Sequence, residues 1–450
     1  MIIDKIFEEF IVEVMDEQRP YATEEEIRKV VEDMLIIIKS NKDATPEEWI
    51  ELIIADNIKQ LEDIKNKYPI PGYNVMLRVA NINVHMFGGS MSYNGETMTE
   101  DALFDIASMT KFYTQIVAYN LIKEGMFKMS DKIGDLDPRF SNLKELTVKD
   151  ILTFTTKFKT DGRIDDKITV DEALKCLYGA TVEEVGTYNY NDIGMMIVKE
   201  LMENITGKSY SDLVDEYIVN KLGLSDTHLY VPESKIIRLT GSPNTLLGAV
   251  NDQKSIAVGG FSGHAGIFAS SKDVIELGSK LNEVISEEML KDAYTRGVSE
   301  NRGIMGNTYV SHEKGIDKSF VDRLEARKNF AIQGSTRVQA NFGKYSNSVI
   351  FFNPSSMSIE RALEEEKRIN FERTAKGLNE VKLVKNFAYN RDGKLTEYKL
   401  IDARQMAPAS KTVEPVTTKN AELALRLEFL NKVLQEYGYS KDIDINKNIK

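Results

Sequence analysis

The sequence predicts a mixed α/β protein, and three observations predict it. Residues 1–66 carry apolar side chains at helical spacing. Residues 75–79 and 83–87 alternate in the manner of two paired strands joined near Asn81. A short extended run, Phe104 to Ala107, leads into a long helical pattern that ends at Gly125.

The first 66 residues read as three helices. Ile2, Ile3, Ile6, Phe7, Phe10, Ile11 and Val14 form one apolar stripe, and Pro20 ends it. Thr23 with Glu26 is a capping-box pattern that opens the second helix. Thr45, Pro46 and Glu48 supply an N-cap, an N1 proline and an N3 acid for the third. Its buried side carries Trp49, Ile53, Ile54, Ile58 and Leu61. Packing onto the main domain is favoured for this layer over a dimer surface or a lid above a site. Residues 67–72 form a linker. Further on, Asp131 to Asp137, followed by Pro138, reads as a loop, and Thr147 caps a short helix. Residues 346–352 read as a strand and 356–378 as a charged helix. Residues 382–403 form a hairpin around Arg391-Asp392-Gly393, and 421–438 a final amphipathic helix.

Composition bounds the function. The chain has 450 residues, 42% hydrophobic and 28% charged, ordinary values for a globular protein of one large or two to three smaller domains. A net charge of −12 argues against nucleic acid and anionic membrane surfaces as partners, since both require basic patches. Cys176 is the only cysteine, so no intrachain disulfide exists, and its helical setting reads as a small buried hydrophobe. The histidines, His85, His228, His264 and His312, have no metal-ligand spacing. No metal and no cofactor is expected. The first residues lack a basic n-region and a small-residue cleavage site, and no apolar run approaches the roughly 20 residues that span a bilayer. A cytoplasmic location is the expectation.

The chemistry centres on Ser108 and Lys111. Residues three apart share a helix face, so a hydroxyl and an amine meet there. Serine is a weak nucleophile that needs an adjacent base. A lysine serves as one if burial or nearby positive charge lowers its pKa. The bland alternative is an ordinary amphipathic helix, because Ser-x-x-Lys is common by chance. Position argues for chemistry: Ser108 lies where an extended entry meets a first helical turn, whose free N–H groups favour developing negative charge.

The stretch Phe104–Ile133 closely resembles the opening motif of the serine β-lactamase and penicillin-binding-protein superfamily, which carries Ser-x-x-Lys. It is most similar to the branch of class C β-lactamases, esterases and D-aminopeptidases. Two further landmarks follow in order. Tyr190-Asn191-Asp192 takes the place of Tyr-Ser-Asn or Tyr-Ser-Asp, with Gly194, Thr206, Gly207, Tyr210, Leu222 and Gly223 in register behind it. Gly263-His264-Ala265-Gly266-Ile267-Phe268 resembles the Gly-His-Ala-Gly-Leu-Phe of the esterase and peptidase branch. The chain departs from the pattern at Ile151–Phe158, where relatives carry Leu-Leu-Thr-His-Thr-Ser-Gly-Leu. Phe154 and Lys157 stand at the His and Gly positions. A second departure is Gly334-Ser335-Thr336-Arg337 in place of a Gly-His-Thr-Gly-like strand. Arg337 reads as a solvated strand charge in preference to a fork for a substrate carboxylate.

The resemblance spans about residues 73–275. It implies an antiparallel sheet flanked by helices with an inserted helical subdomain at about 125–245, all within a hydrolase domain of residues 67–360. A helical extension (1–66) precedes it, and a helix, hairpin and helix (361–450) follow. It implies Ser108 as nucleophile, with Lys111 and Tyr190 moving the proton. A phenol beside an ammonium loses its proton more readily, which suits Tyr190 to a relay. Asp192 is expected to hold Lys111 by a charge-assisted hydrogen bond. His264 takes the place of the lysine of a Lys-Thr-Gly strand, Gly266 keeps that strand open to a ligand, and the Ile267 N–H joins that of Ser108 as an oxyanion hole. The implied reaction is acyl transfer on an ester, amide or D-amino-acid peptide. The rival readings are a catalytically weak relative that binds a small molecule, short peptide or partner, and a scaffold whose N-terminal helices act, including as a homo-oligomer surface.

Overall fold

A computed structural model of the chain describes residues 2–16, 23–67, 70–91, 97–167, 169–240, 250–260, 262–286, 346–353 and 413–449, with five short strands and a few isolated positions between 307 and 400. Three helices open it: α1 (Ile2–Asp16), α2 (Glu24–Ser40) and α3 (Pro46–Lys67). Thr23 accepts from the Glu26 N–H while the Glu26 side chain accepts from the Thr23 N–H, closing the expected capping box. Thr45 and Glu48 exchange the same pair of bonds. Pro20 lies outside the described residues.

The strands are β1 (Gly72–Val79), β2 (Ile82–Gly89), β3 (Phe104–Asp105), β4 (Thr156–Lys159), β5 (Thr181–Val185), β6 (Thr227–His228), β7 (Phe268–Ala269), β8 (Asn307–Thr308), β9 (Phe330–Gly334), β10 (Val338–Phe342), β11 (Ser346–Asn353), β12 (Val384–Tyr389), β13 (Leu395–Leu400) and β14 (Ile443–Ile449). Seven form the main sheet, in the order β14-β2-β1-β11-β10-β9-β8. Every pair in it is antiparallel except β14, which runs parallel to β2. The expected hairpin between residues 75 and 87 is therefore present, as the second and third strands of the sheet. β12 and β13 pair as the expected second hairpin.

Alternation along the strands assigns two faces. Tyr73, Val75 and Leu77 of β1, with Ile350 and Phe352 of β11, join one core that includes α1, α2, α3 and the C-terminal helix Val413–Glu436. Met76, Val349 and Phe351 join the other, with the helix α4 (Thr110–Lys123) and most of residues 127–285. Phe112 of α4 meets Phe342 of β10 at 5.9 Å, and Phe104 meets Phe351 at 4.9 Å. The N-terminal helices thus cover the sheet face opposite Ser108. They pack, as favoured, and do not form a lid. Arg426 of the C-terminal helix fastens this layer. It donates to Asn57 Oδ1 at 2.7 Å and pairs with Asp56, both on α3.

Two local readings change. Asp131–Asp137 includes a helical turn, Ile133–Leu136, because the Asp137 N–H finds the Ile133 carbonyl. After the C-terminal helix the chain returns to the sheet as β14, an element the sequence reading did not contain. Most of the expected helix at 356–378 lies outside the described residues.

Candidate active site

Ser108 sits on a single 3₁₀ turn, Ala107–Met109, between β3 and α4. Its neighbours Ala107 and Met109 are buried, whereas Ser108 itself is partly exposed. Ala107 takes φ +44°, a costly value for a residue with a Cβ. Asp105 holds the turn in that shape. Its Oδ1 accepts the Ala107 N–H at 2.8 Å and its Oδ2 accepts the Asn251 N–H at 2.7 Å. Burial pushes the Asp105 carboxyl up to about 6 against those two donors.

Lys111 lies on the next turn, as the spacing requires. Its Nζ donates to Ser108 Oγ at 2.9 Å and to the His264 carbonyl at 3.2 Å, and pairs with Asp192 Oδ1 at 2.8 Å. Three acceptors around one nitrogen match the three N–H bonds of an ammonium. Burial works to lower the Lys111 pKa, but Tyr190 and Asp192 outweigh it and raise the value. Lys111 therefore rests as a cation. The condition under which it would act alone as a base, a lowered pKa, is not met.

Tyr190 and Asp192 approach from the segment before the helix Ile193–Thr206. Lys111 Nζ stands 4.9 Å from the Tyr190 ring centroid, and the tyrosine is among the groups that raise the lysine pKa. Tyr190 is 46% exposed, so it borders both the ammonium and solvent. Its other ring face stacks on Phe154 at 5.3 Å and 16°. Phe154 itself is buried, at φ +56°. The aromatic ring at the departed His position thus supports the tyrosine. Asp192 accepts Lys111 on one oxygen and Lys254 on the other, at 3.1 Å. These cations hold its carboxyl well below the usual carboxylate range despite burial.

The third landmark sits elsewhere than expected. Residues 262–267 form a buried loop behind Lys111, and the two-residue β7 that follows pairs with β3 and β6 in a separate small sheet. His264 is fully buried, with Nε2 on Asp252 Oδ1 at 2.7 Å. It does not stand on a strand beside the serine. What it offers Lys111 is its backbone carbonyl. Gly266 is not a flat strand residue either. It adopts φ +118°, and a Cβ there would meet the Gly260 carbonyl at 2.7 Å. The Ile267 N–H is spent on Thr110 Oγ1 at 3.2 Å, so it is no free oxyanion donor. The main-sheet strand that packs against the Ala107–Met109 turn is β9. Arg337, just beyond it, lies outside the described residues.

Sequence reading missed Asp105, Asp252 and Lys254. Asp252 had a visible signal: it caps Gln253–Ala257 by accepting the Ser255 N–H at 2.9 Å. Lys254 had none, since its partner is 62 residues away. Asp192, Asp252 and His264 each bring one ligand atom within 4.8 Å of the others. Both Asp192 oxygens are already committed to ammonium groups, and Asp252 to His264 and a helix cap, so this cluster is a charge network of the chain itself.

A fold of this form around a Ser-Lys-Tyr cleft defines a serine hydrolase superfamily. The β-lactamase family model matches residues 54–320, more than half of the chain, and the chain belongs to that family. It is 27% identical over 256 residues to a putative D-alanyl-D-alanine carboxypeptidase of Escherichia coli (strain K12), covering 46% of this chain and 59% of that protein. A similarly described protein of Salmonella agona is 25% identical over 237 residues, covering 42% and 55%. The chain thus spans less than two thirds of the length of these relatives. Among solved structures, a class C β-lactamase from Rhodobacter sphaeroides superposes with TM-score 0.54 at 17% identity, covering 68% of this chain and 95% of that one. A hydrolase with promiscuous acyltransferase activity, EstCE1, gives 0.53 at 14%, with the same coverage. Both carry the fold alone. No helix among the described residues is long and apolar enough to cross a membrane.

Proposed function

We propose that the protein is a serine hydrolase that works through an acyl-enzyme on an ester, amide or D-amino-acid peptide. The observation that carries this is the contact of Lys111 Nζ with Ser108 Oγ at 2.9 Å, with the Tyr190 ring centroid 4.9 Å from the same nitrogen. In the first step the Ser108 oxygen bonds to the carbonyl carbon. Its proton passes to the Tyr190 oxygen as the phenol releases its own proton toward the leaving group, while the Lys111 cation balances the negative charge travelling between the two oxygens. The carbonyl π electrons move to its oxygen, which the Ser108 N–H at the head of the turn stabilises, with β9 the adjacent backbone for a second donor. The bond to the leaving group then breaks and that group takes the proton. Water repeats the sequence and frees Ser108. Asp192 and Phe154 hold the cation and the phenol in place.

The carboxypeptidase descriptions of the curated relatives favour a D-alanyl peptide within this class. Incubating the protein with a fluorophosphonate and locating the adduct by peptide mass spectrometry tests the chemistry: the label is expected on Ser108. Side-by-side assays with p-nitrophenyl esters, nitrocefin and D-alanyl peptides then select the substrate. An unlabelled protein that still binds these compounds would mean a binder without turnover. Within the hydrolase reading, Phe154→Leu is expected to lower kcat/KM for a p-nitrophenyl ester by about fivefold to tenfold, because an aromatic pair contributes about 1 kcal/mol beyond burial. Steady-state kinetics measures it.

A further inference from the structure

The buried charges around Ser108 do not pair one to one. A single carboxylate, Asp192, serves two ammonium groups, Lys111 at 2.8 Å and Lys254 at 3.1 Å. Asp252, close by, is taken by His264 and by the Ser255 N–H. We infer that Lys254 is a positioning residue: by holding the second oxygen of Asp192, it divides one negative charge between two cations and keeps the Ser108–Lys111–Tyr190 group able to exchange a proton. This rests on the hydrolase reading.

The geometry makes the division physical. Lys254 lies in the first turn of the helix Gln253–Ala257, whose cap fixes it, and its side chain is only 30% exposed. Asp192 reaches it from the segment that also carries Tyr190, so the two lysines clamp that segment from opposite oxygens. Lys111 faces Ser108 on the turn that leads into its own helix, Tyr190 and Asp192 on a second segment, and the His264 carbonyl on a third. Lys254 faces Asp192, Asp252 and Asp165. Asp192 also faces His264, so without Lys254 its charge is shared between Lys111 and that side of the network, a larger part falls on Lys111, and one cation is lost from the site. Both changes favour the protonated form of whichever group must give up a proton, so they act in the same direction.

The pH dependence of the second-order rate of Ser108 labelling by a fluorophosphonate tests this without knowledge of the substrate. For Lys254→Met, the acidic limb is expected to move upward by about one pH unit relative to wild type, as expected when one nearby charge is removed. Lys254→Arg, which keeps the charge, should stay close to wild type. In an Asp192→Asn background, where no carboxylate remains to divide and only the loss of the cation is left, Lys254→Met should move the limb less. A Lys254→Met profile that falls equally at every pH, with its limb in place, would mean a tether and nothing more, and would overturn the inference. So would Lys254→Arg tracking Lys254→Met, or an undiminished shift in the Asp192→Asn background. Wild type left unlabelled would overturn the hydrolase reading itself, and the inference with it, which separates the two failures.

Discussion

Replacing Ser108 by alanine is expected to abolish fluorophosphonate labelling and to lower kcat for a p-nitrophenyl ester by about 10⁴-fold or more. The side chain is small and partly exposed, so the fold loses little. On the proposed mechanism, what disappears is the acyl acceptor. Lys111→Met should cost nearly as much, because the ammonium touches Ser108, Asp192 and the His264 carbonyl at once. Its removal leaves one oxygen of the Asp192 carboxylate without its ammonium, Lys254 alone remaining on the other, and breaks the proton path. The two losses should not add. Once the nucleophile is gone the proton path has nothing to serve, so the double variant should equal Ser108→Ala alone. Steady-state kinetics on the three variants reads this directly. A Lys111→Met enzyme within tenfold of wild type would show that proton transfer runs by another route.

The parts of this site that were legible in the sequence are the ones fixed by local geometry. Ser108 and Lys111 meet because residues three apart on a helix must. Tyr190 and Asp192 were placed by a motif that continues into a long helix, and the ion pair with Lys111 then depends only on how that helix enters. The Gly-His-Ala-Gly run failed for the opposite reason. Its residues are locally consistent with a strand start, but which sheet a two-residue strand joins is decided by tertiary pairing. Here β7 chose β3 and β6. That choice turned His264 inward and gave the Ile267 N–H to Thr110, 157 residues away. The sequence states a lowered pKa only as the condition for Lys111 to act as a base: burial was foreseeable, but the sign of the result depends on how many acceptors converge. β14 carried a readable cue, Ile443, Ile445 and Ile449 at odd positions among polar residues, but an edge strand paired on one side is weakly patterned.

The strained backbone at Ala107 leads to the second large effect. Asp105 joins two segments that meet at the nucleophile: the turn that presents Ser108 and the stretch from Asn251 that carries Asp252 and Lys254. Asp105→Ala takes the acceptor from the buried Ala107 N–H, at a cost of about 1–3 kcal/mol, and from the partly buried Asn251 N–H, which costs less. It also frees Ala107 to relax from φ +44°. A shift of Ser108 of the order of an ångström is enough to lower kcat by about 10²-fold, with KM little changed. Asp105→Asn keeps one acceptor and should fall between. The same carboxyl gives a stability signature whose sign is fixed. Its folded pKa, about 6, lies above that of the unfolded chain. Between about pH 4 and 6 the unfolded state has therefore released the proton that the folded state keeps. The contribution of Asp105 to stability is full below that window and is lost as pH rises through it, by up to about 3 kcal/mol. Asp273 titrates in the same range, also pushed up to about 6 by burial, so the slope of wild type alone mixes the two. The difference in urea midpoint between wild type and Asp105→Asn, followed from pH 4 to 7, isolates the first. That difference should move in favour of the asparagine variant as pH increases, and a flat line would mean that Asp105 is ionised throughout.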